Sequence, residues 1–288
     1  MSTLSNEFVI LRAKPEGAEL YSIQTSDGTE HLWQADPSIW SRHAPILFPI
    51  VGKLKNDQYT HRGKTYTLPQ HGFARDMTFA LLEQTKNTLV YELLPTDETR
   101  AVYPFDFELR VIYRLTDNRI TVEYEVQNHG QEAMPFSIGA HPGFNLPGKL
   151  DECFLTLEKE EMLTAHLLGD DGLLSSETVS LTKQSDCIPI TQTLFDRDAL
   201  ILLDVDFEKM SIGSKNSDTR IALEFSGFPQ LGIWAKPGAP YVCIEPWFGY
   251  ADPQEPYGEI SNKPGIQILP VGETFRCTQR IMIEPFVS

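Results

Sequence analysis

"RITVEYEVQN", Arg119 to Asn128, is the stretch that decides the fold. Ile120, Val122, Tyr124 and Val126 fall on one face, and Thr121, Glu123, Glu125 and Gln127 on the other. A period of two is that of a strand with one side buried and one side wet. The preceding "FELRVIYRL" is a second strand, and "TDNR", Thr116 to Arg119, turns one into the other. "MTFALLEQTKNTLVYELLP" reads as another hairpin turning near Lys86 and Asn87, and "RIALEFSG", "LGIWAKP", "YVCIEPW" and "FRCTQRIMIEP" add strands toward the C-terminus. Helical signals are few and short. "TDETRAVYP" offers Thr96 as N-cap and Pro104 as stop; "ADPSIWSRH" offers Asp36 as cap with Pro37 at the first helical position; "TQTLFDRDAL" has room for one or two turns. No repeat, low-complexity run or linker interrupts the strands. Residues 1–288 are therefore expected to form one all-β domain, an antiparallel sandwich with a few short helices.

Composition narrows the function. The formal charge is −16 over 288 residues, a surface that repels phosphate backbones and anionic membranes, so neither nucleic acid nor membrane is an expected partner. No basic segment followed by a long apolar one opens the chain, and no apolar run approaches the ~20 residues that cross a bilayer. Cys153, Cys187, Cys243 and Cys277 lie far apart with no C-x-x-C pattern. They read as reduced residues of a cytoplasmic protein, although their even number leaves disulfides open.

Four islands could carry chemistry. In "FSIGAHPGFNLP", alternation puts Phe136, Ile138 and Ala140 toward the core and Ser137, Gly139 and His141 on the opposite face. Small residues leading to one histidine suggest room for a ligand above the sheet, and Pro142 biases His141 toward extended backbone at the strand's end. A histidine packed beneath its own loop fits the same pattern. In "YVCIEPWFG", Glu245 interrupts an apolar run and shares a face with Tyr241 and Cys243. A buried carboxylate needs a partner, a cleft or a raised pKa; an ion pair with a neighbouring strand is the structural alternative, while Pro246 and Trp247 beside it suit the wall of a sugar site. "PQHGFARD" places His71 and Arg75 four apart, and "HAPILFPIVGKLKN" runs a short buried strand into Gly52 and Lys53. Taken singly these are weak: His71 fits a loop, Arg75 fits a pair with Asp76, Lys53 fits solvent. Asp204 follows the apolar run of "ALILLDVDF" and would be a second carboxylate beside Glu245 for a glycosidase-type pair. Phosphate loops, dinucleotide fingerprints, metal-binding histidine spacings and nucleophile elbows are all missing from the sequence.

In their order and spacing, "LFPIVGKLKN", "LPQHGFARD", "SIGAHPGFNLP" and "CIEPWFG" resemble the aldose 1-epimerase (galactose mutarotase) superfamily, and within it the LacX-like branch. The islands span roughly residues 45 to 250, and the flanking strands extend the likeness over nearly the whole chain. The resemblance implies a large antiparallel β-supersandwich with an open sugar cleft, and catalysis by a glutamate and a histidine without cofactor or metal. The family's glutamate falls on Glu245, its acid histidine on His141, its sugar-contacting second histidine on His71, and the arginine that follows on Arg75. Its cleft aspartate falls loosely on Asp204, and Lys53 and Trp247 are expected at the cleft. Ala140 and Gly143 depart from the asparagine before the histidine and the aromatic after it that mark the galactose-specific branch, so galactose specificity does not carry over. The expected partner is a sugar or sugar phosphate, and the rival reading is a sugar-binding protein without catalysis.

Overall fold

The computed structural model describes residues 1–285, whose named strands pair antiparallel throughout. The strand Arg119–Asn128 lies inside a nine-stranded sheet, between Phe107–Thr116 on one side and Thr274–Pro285 on the other. Its apolar face is buried as the alternation requires: Ile120, Val122, Tyr124 and Val126 are each 2% exposed or less. Beyond Phe107–Thr116 come Thr88–Leu93 and Ala80–Gln84; beyond Thr274–Pro285 come Thr219–Glu224, Lys209–Ser214, Cys153–Glu161 and Ser185–Pro189. A second sheet runs in the order Leu174–Ser180, Thr164–Leu168, Leu200–Leu203, Gln230–Trp234, Tyr241–Phe248, Ile138–Ala140, Ile46–Leu47, with Gly143–Asn145 also paired to Tyr241–Phe248. The inward faces of both sheets, among them Leu109, Val111 and Tyr124 from one and Ile138, Val242 and Ile244 from the other, enter one apolar cluster. Burial at this scale, at about 25 cal/mol per Å² of apolar surface, is the main force holding the sheets together.

Helix is scarce. Asp97–Val102 is a single short α-helix closed by the expected Thr96 cap, whose side chain accepts from the Thr99 N–H while the Thr99 hydroxyl oxygen accepts from the Thr96 N–H. The other two helical expectations are corrected. Around Asp36 the chain makes one turn, with the Trp40 N–H donating to the Asp36 carbonyl, and then leaves; Thr191–Leu200 makes turns only. An Asp-Pro start is not enough where too few residues follow to repay the cost of the first turn. The four cysteines are free, three of them buried and Cys187 half-buried. No helix among the described residues is long and apolar enough to cross a membrane.

The irregular segment after Asp36 matters because it carries Trp40 to the outer face of the second sheet. Buried Glu19 anchors it: one carboxylate oxygen accepts from the N–H groups of His43 and Ala44 at 2.9 and 3.0 Å, and the other pairs with Lys14 at 2.6 Å. Burial alone would raise the pKa of Glu19, but the hydrogen bonds from His43 and Lys14 and the lysine charge outweigh it and hold the carboxyl at about 2. A native pKa depressed from about 4.5 to about 2 corresponds to about 3 kcal/mol of stability, present above pH 4.5 and lost as pH falls toward 2. Glu19→Gln should therefore be less stable than wild type by about that amount at neutral pH, with the gap closing at pH 3. Urea unfolding of both proteins at the two pH values checks this; a gap that does not change with pH would mean that the charge is not its source.

Candidate active site

On the face of the second sheet turned away from the core, a cavity of about 480 Å³ opens to solvent, a volume suited to a ligand of a few hundred daltons or less. Its floor is the indole of Trp247. Along Tyr241–Phe248, Val242 and Ile244 point into the core while Glu245 and Trp247 line the cavity; Cys243, on their face of the strand, is fully buried beneath it and does not line it. The strands on either side leave the space for the indole. Gly139 lies directly opposite Trp247 in the register, and a Cβ there would meet Cδ1 at 2.4 Å; a Cβ on Gly232 would meet Cζ2 and Cη2 at 2.3 Å. The expectation that Gly139 keeps room for a ligand is thus corrected. The room is filled by the indole, and the ligand space begins above it.

His141 and Glu245 stand side by side at this floor. His141 follows the short strand Ile138–Ala140, Glu245 sits mid-strand, and Nε2 of the first lies 3.2 Å from Oε2 of the second. The contact is too far off line to count as a hydrogen bond, and Oε2 of Glu245, Nδ1 of His141 and Nε1 of Trp247 all lack protein hydrogen-bond partners although buried. Buried polar atoms without partners are costly, and beside a cavity they are candidates to receive a ligand's polar groups. Burial pushes the His141 pKa down to about 3 and that of Glu245 well above the ordinary carboxylate value, with the Asp198 charge adding to the latter. The ordinary values that favour a charged glutamate beside a charged histidine therefore do not apply to the empty site, where both groups prefer to be neutral.

His71 also lines the cavity, edge-on to His141 with ring centres 5.7 Å apart. Its φ is +67°, an unusual backbone for a side chain of this size. Its Nδ1 accepts the N–H of Gly52 at 3.1 Å. That fixes the tautomer, leaving Nε2–H as a donor, and burial keeps the ring neutral, with the charge of Arg75 adding to it. Arg75 reaches the wall as well. One of its terminal nitrogens donates to the Gln70 carbonyl at 2.7 Å, while its Nε lies 3.7 Å from Asp76, whose closer partner is Arg42 at 2.9 Å.

Two expected residues are elsewhere. The ammonium of Lys53 turns to the carbonyl of Asp171, and Lys53 does not line the cavity although Gly52 does. Asp204 is exposed beyond the end of Leu200–Leu203 and does not line the cavity, whereas Asp196 and Asp198 do. They come from the turns at 191–198, where no apolar alternation marked them. Trp40, Trp234 and Lys236 were also missed. Trp40 stacks on His141 at 5.0 Å between centres and 27° between planes, and Trp234 meets the same ring edge-on at 5.6 Å. Trp234 had a visible signal, since it closes the strand "LGIW" as Trp247 nears the close of "CIEPW"; Trp40 had none.

The cavity rim is fixed from behind by a buried ion pair. Lys263 Nζ lies 2.9 Å from Asp252 Oδ1, both 2% exposed or less, and Asp252 Oδ2 accepts from the Lys55 N–H and the Tyr257 hydroxyl. Removing either charge would leave the other buried and unpaired, so the pair locks the segment that presents Ala251 beside Gly52.

The comparisons with known proteins agree with this fold. A family profile described as aldose 1-epimerase matches residues 2–281. Protein LacX of Lactococcus lactis subsp. lactis, in its plasmid form, is 33% identical over 283 residues, covering 93% of this chain and 94% of that one. Among solved structures, a galactose mutarotase related enzyme from Lactobacillus acidophilus is 35% identical with a TM-score of 0.92, covering 98% of this chain and 97% of its own. A galactose mutarotase-like protein from Lactobacillus casei is 32% identical with a TM-score of 0.93, covering 99% and 100%.

Proposed function

The chain belongs to the aldose 1-epimerase family, and from that premise we propose that it interconverts the α and β anomers of an aldose by acid–base ring opening, with Glu245 as base and His141 as acid. The observation that carries this reading is the adjacency of those two side chains at the floor of the cavity, 3.2 Å apart. Anomerisation moves one proton off the anomeric hydroxyl and another onto the ring oxygen, while the bond from C1 to that oxygen breaks. The aldehyde rotates about C1–C2 and closes on its other face with the two roles exchanged. Both oxygens are bonded to C1, so the acid and the base must be neighbours. A glycosidase instead holds its carboxyl groups roughly 5–9.5 Å apart, and the second carboxylate foreseen for that chemistry, Asp204, is exposed and off the cavity.

The protonation states are compatible with this chemistry. Glutamate as base with histidine as acid holds one proton between them. The neutral pair favoured by burial also holds one. A proton relayed between them through a substrate hydroxyl converts one into the other, and substrate hydroxyls that hydrogen-bond to the charged forms favour the ion pair. His71, with its Nε2–H free to donate, grips a sugar oxygen; Trp247 offers a flat apolar face to the C–H face of a pyranose. One specific observation favours the rival, a sugar-binding protein without turnover: burial opposes both charges that catalysis uses. Anomer-exchange NMR over a panel of free and phosphorylated aldoses separates the two. The enzyme accelerates exchange for at least one sugar; a protein that binds a sugar and accelerates none is the rival.

A 6-phosphate would find its anchor at Arg75, since Arg42 occupies Asp76 and Arg75 borders the cavity. A charge-assisted hydrogen bond to phosphate is worth about 1.5–3 kcal/mol. The ratio of kcat/KM for glucose 6-phosphate to that for glucose should accordingly fall by roughly 10- to 100-fold in Arg75→Ala. A ratio unchanged by the substitution removes the phosphate anchor and leaves the epimerase reading standing.

A further inference from the structure

A thiol lies against the pair. Cys243 shares its strand face with Glu245, and the ligand-capable atoms of His141, Cys243 and Glu245 all lie within 4.8 Å of one another. Sequence spacing hid this trio, because His141 arrives from a different strand and only the C-x-E pair is contiguous. All three side chains are buried, and neither the Glu245 oxygen nor the second His141 nitrogen is engaged by the protein. Tetrahedral zinc places sulfur at about 2.3 Å and nitrogen or oxygen at about 2.0–2.2 Å, so neighbouring ligands stand roughly 3.3–3.8 Å apart. Shifts of about 1 Å or less would bring these atoms to that spacing.

We propose that His141, Cys243 and Glu245 form a binding site for a thiophilic divalent cation, Zn²⁺ above all, entered from the cavity and leaving the fourth coordination position open on the cavity side. The mixed sulfur, imidazole and carboxylate set suits Zn²⁺ and gives no advantage to Mg²⁺ or Ca²⁺, which take oxygen ligands. On binding, the thiol and the protonated Glu245 carboxyl each give a proton to solvent as the Zn–S and Zn–O bonds form, and the neutral imidazole donates a nitrogen lone pair. A cation held there occupies both the proposed acid and the proposed base, so the site is inhibitory. That consequence rests on the function proposed above; metal binding itself does not.

The two are tested separately. Chelator-treated protein titrated with Co²⁺ should take up one equivalent and show a near-ultraviolet thiolate-to-cobalt charge-transfer band. Calorimetry with Zn²⁺ should give the same stoichiometry, with proton release. Cys243→Ser should abolish the band and weaken Zn²⁺ by at least about tenfold, since changes merely beside a metal site already cost 10–100-fold; Cys153, Cys187 and Cys277 remain as internal controls. X-ray absorption of the wild-type zinc complex should show one sulfur among nitrogen and oxygen scatterers, a readout that needs no variant to fold. A zinc shell without sulfur, or a Zn²⁺ affinity unchanged in folded Cys243→Ser, overturns the site. Zinc bound as described but without loss of anomer exchange in an active protein would instead sink the inhibitory role.

Discussion

Glu245→Gln should slow anomer exchange by about 10²–10⁴-fold, the usual contribution of a positioned general acid or base, without unfolding the protein. Glutamine keeps the shape of the side chain and removes the proton acceptor. Because burial already raises the Glu245 pKa, the neutral amide replaces a group that prefers to be neutral, and its thermal midpoint should equal or exceed that of wild type. Sugar affinity should persist, since the Trp247 floor and His71 are untouched. His141→Asn should cost a similar factor. If the two side chains share one proton across 3.2 Å, they act as a unit, and the double variant should be little slower than either single one. Near-normal turnover in Glu245→Gln would sink the assignment of the base, and fully multiplicative losses in the double variant would sink the shared proton. NMR exchange rates with the three variants decide both.

Why these two residues were legible, and others not, has a physical basis. Arg119–Asn128 announced its strand because one face is buried along its length, so the alternation is unbroken. Glu245 stood out because a carboxylate in an apolar run contradicts its surroundings, and such contradictions collect at functional sites. His141 was marked by the strand end and by its family likeness. Trp40 carries no such mark: it rides an irregular segment whose placement depends on Glu19, far away in sequence, accepting two backbone N–H groups. Lys53 shows the limit from the other direction. A lysine after a glycine reads alike whether it faces a cavity or bends to a carbonyl, and here Asp171 takes it. The protonation states were hidden as well, because a sequence supplies ordinary pKa values and only burial reveals that both members of the pair move. Gly139 was read correctly as an absence but wrongly as a vacancy, since the side chain that fills it comes from the next strand.

That filled space yields the second large effect. In Gly139→Ala or Gly232→Ala the new methyl would sit 2.4 or 2.3 Å from the Trp247 ring, well inside contact distance. The sheet lies beneath the indole, so relief is upward, into the cavity. Overpacking of this kind costs about 1–3 kcal/mol, and a shift of about 1 Å in a site of this type costs on the order of 10²-fold in rate. Each variant should remain folded, lose stability in that range, bind sugar more weakly and turn over about 100-fold more slowly. The two clashes differ in which part of the ring they strike. Gly232 faces Cζ2 and Cη2 of the six-membered ring's outer edge, whereas Gly139 faces Cδ1 and Cγ near the attachment point. Trp247→Phe shortens the ring away from Gly232 and leaves atoms near Gly139. It should therefore restore part of the activity and stability of Gly232→Ala, measured against Trp247→Phe alone, and do little for Gly139→Ala. Wild-type exchange rates in Gly232→Ala, or equal rescue at both positions, would show that the indole is not held flat between the two glycines as the floor on which the sugar rests.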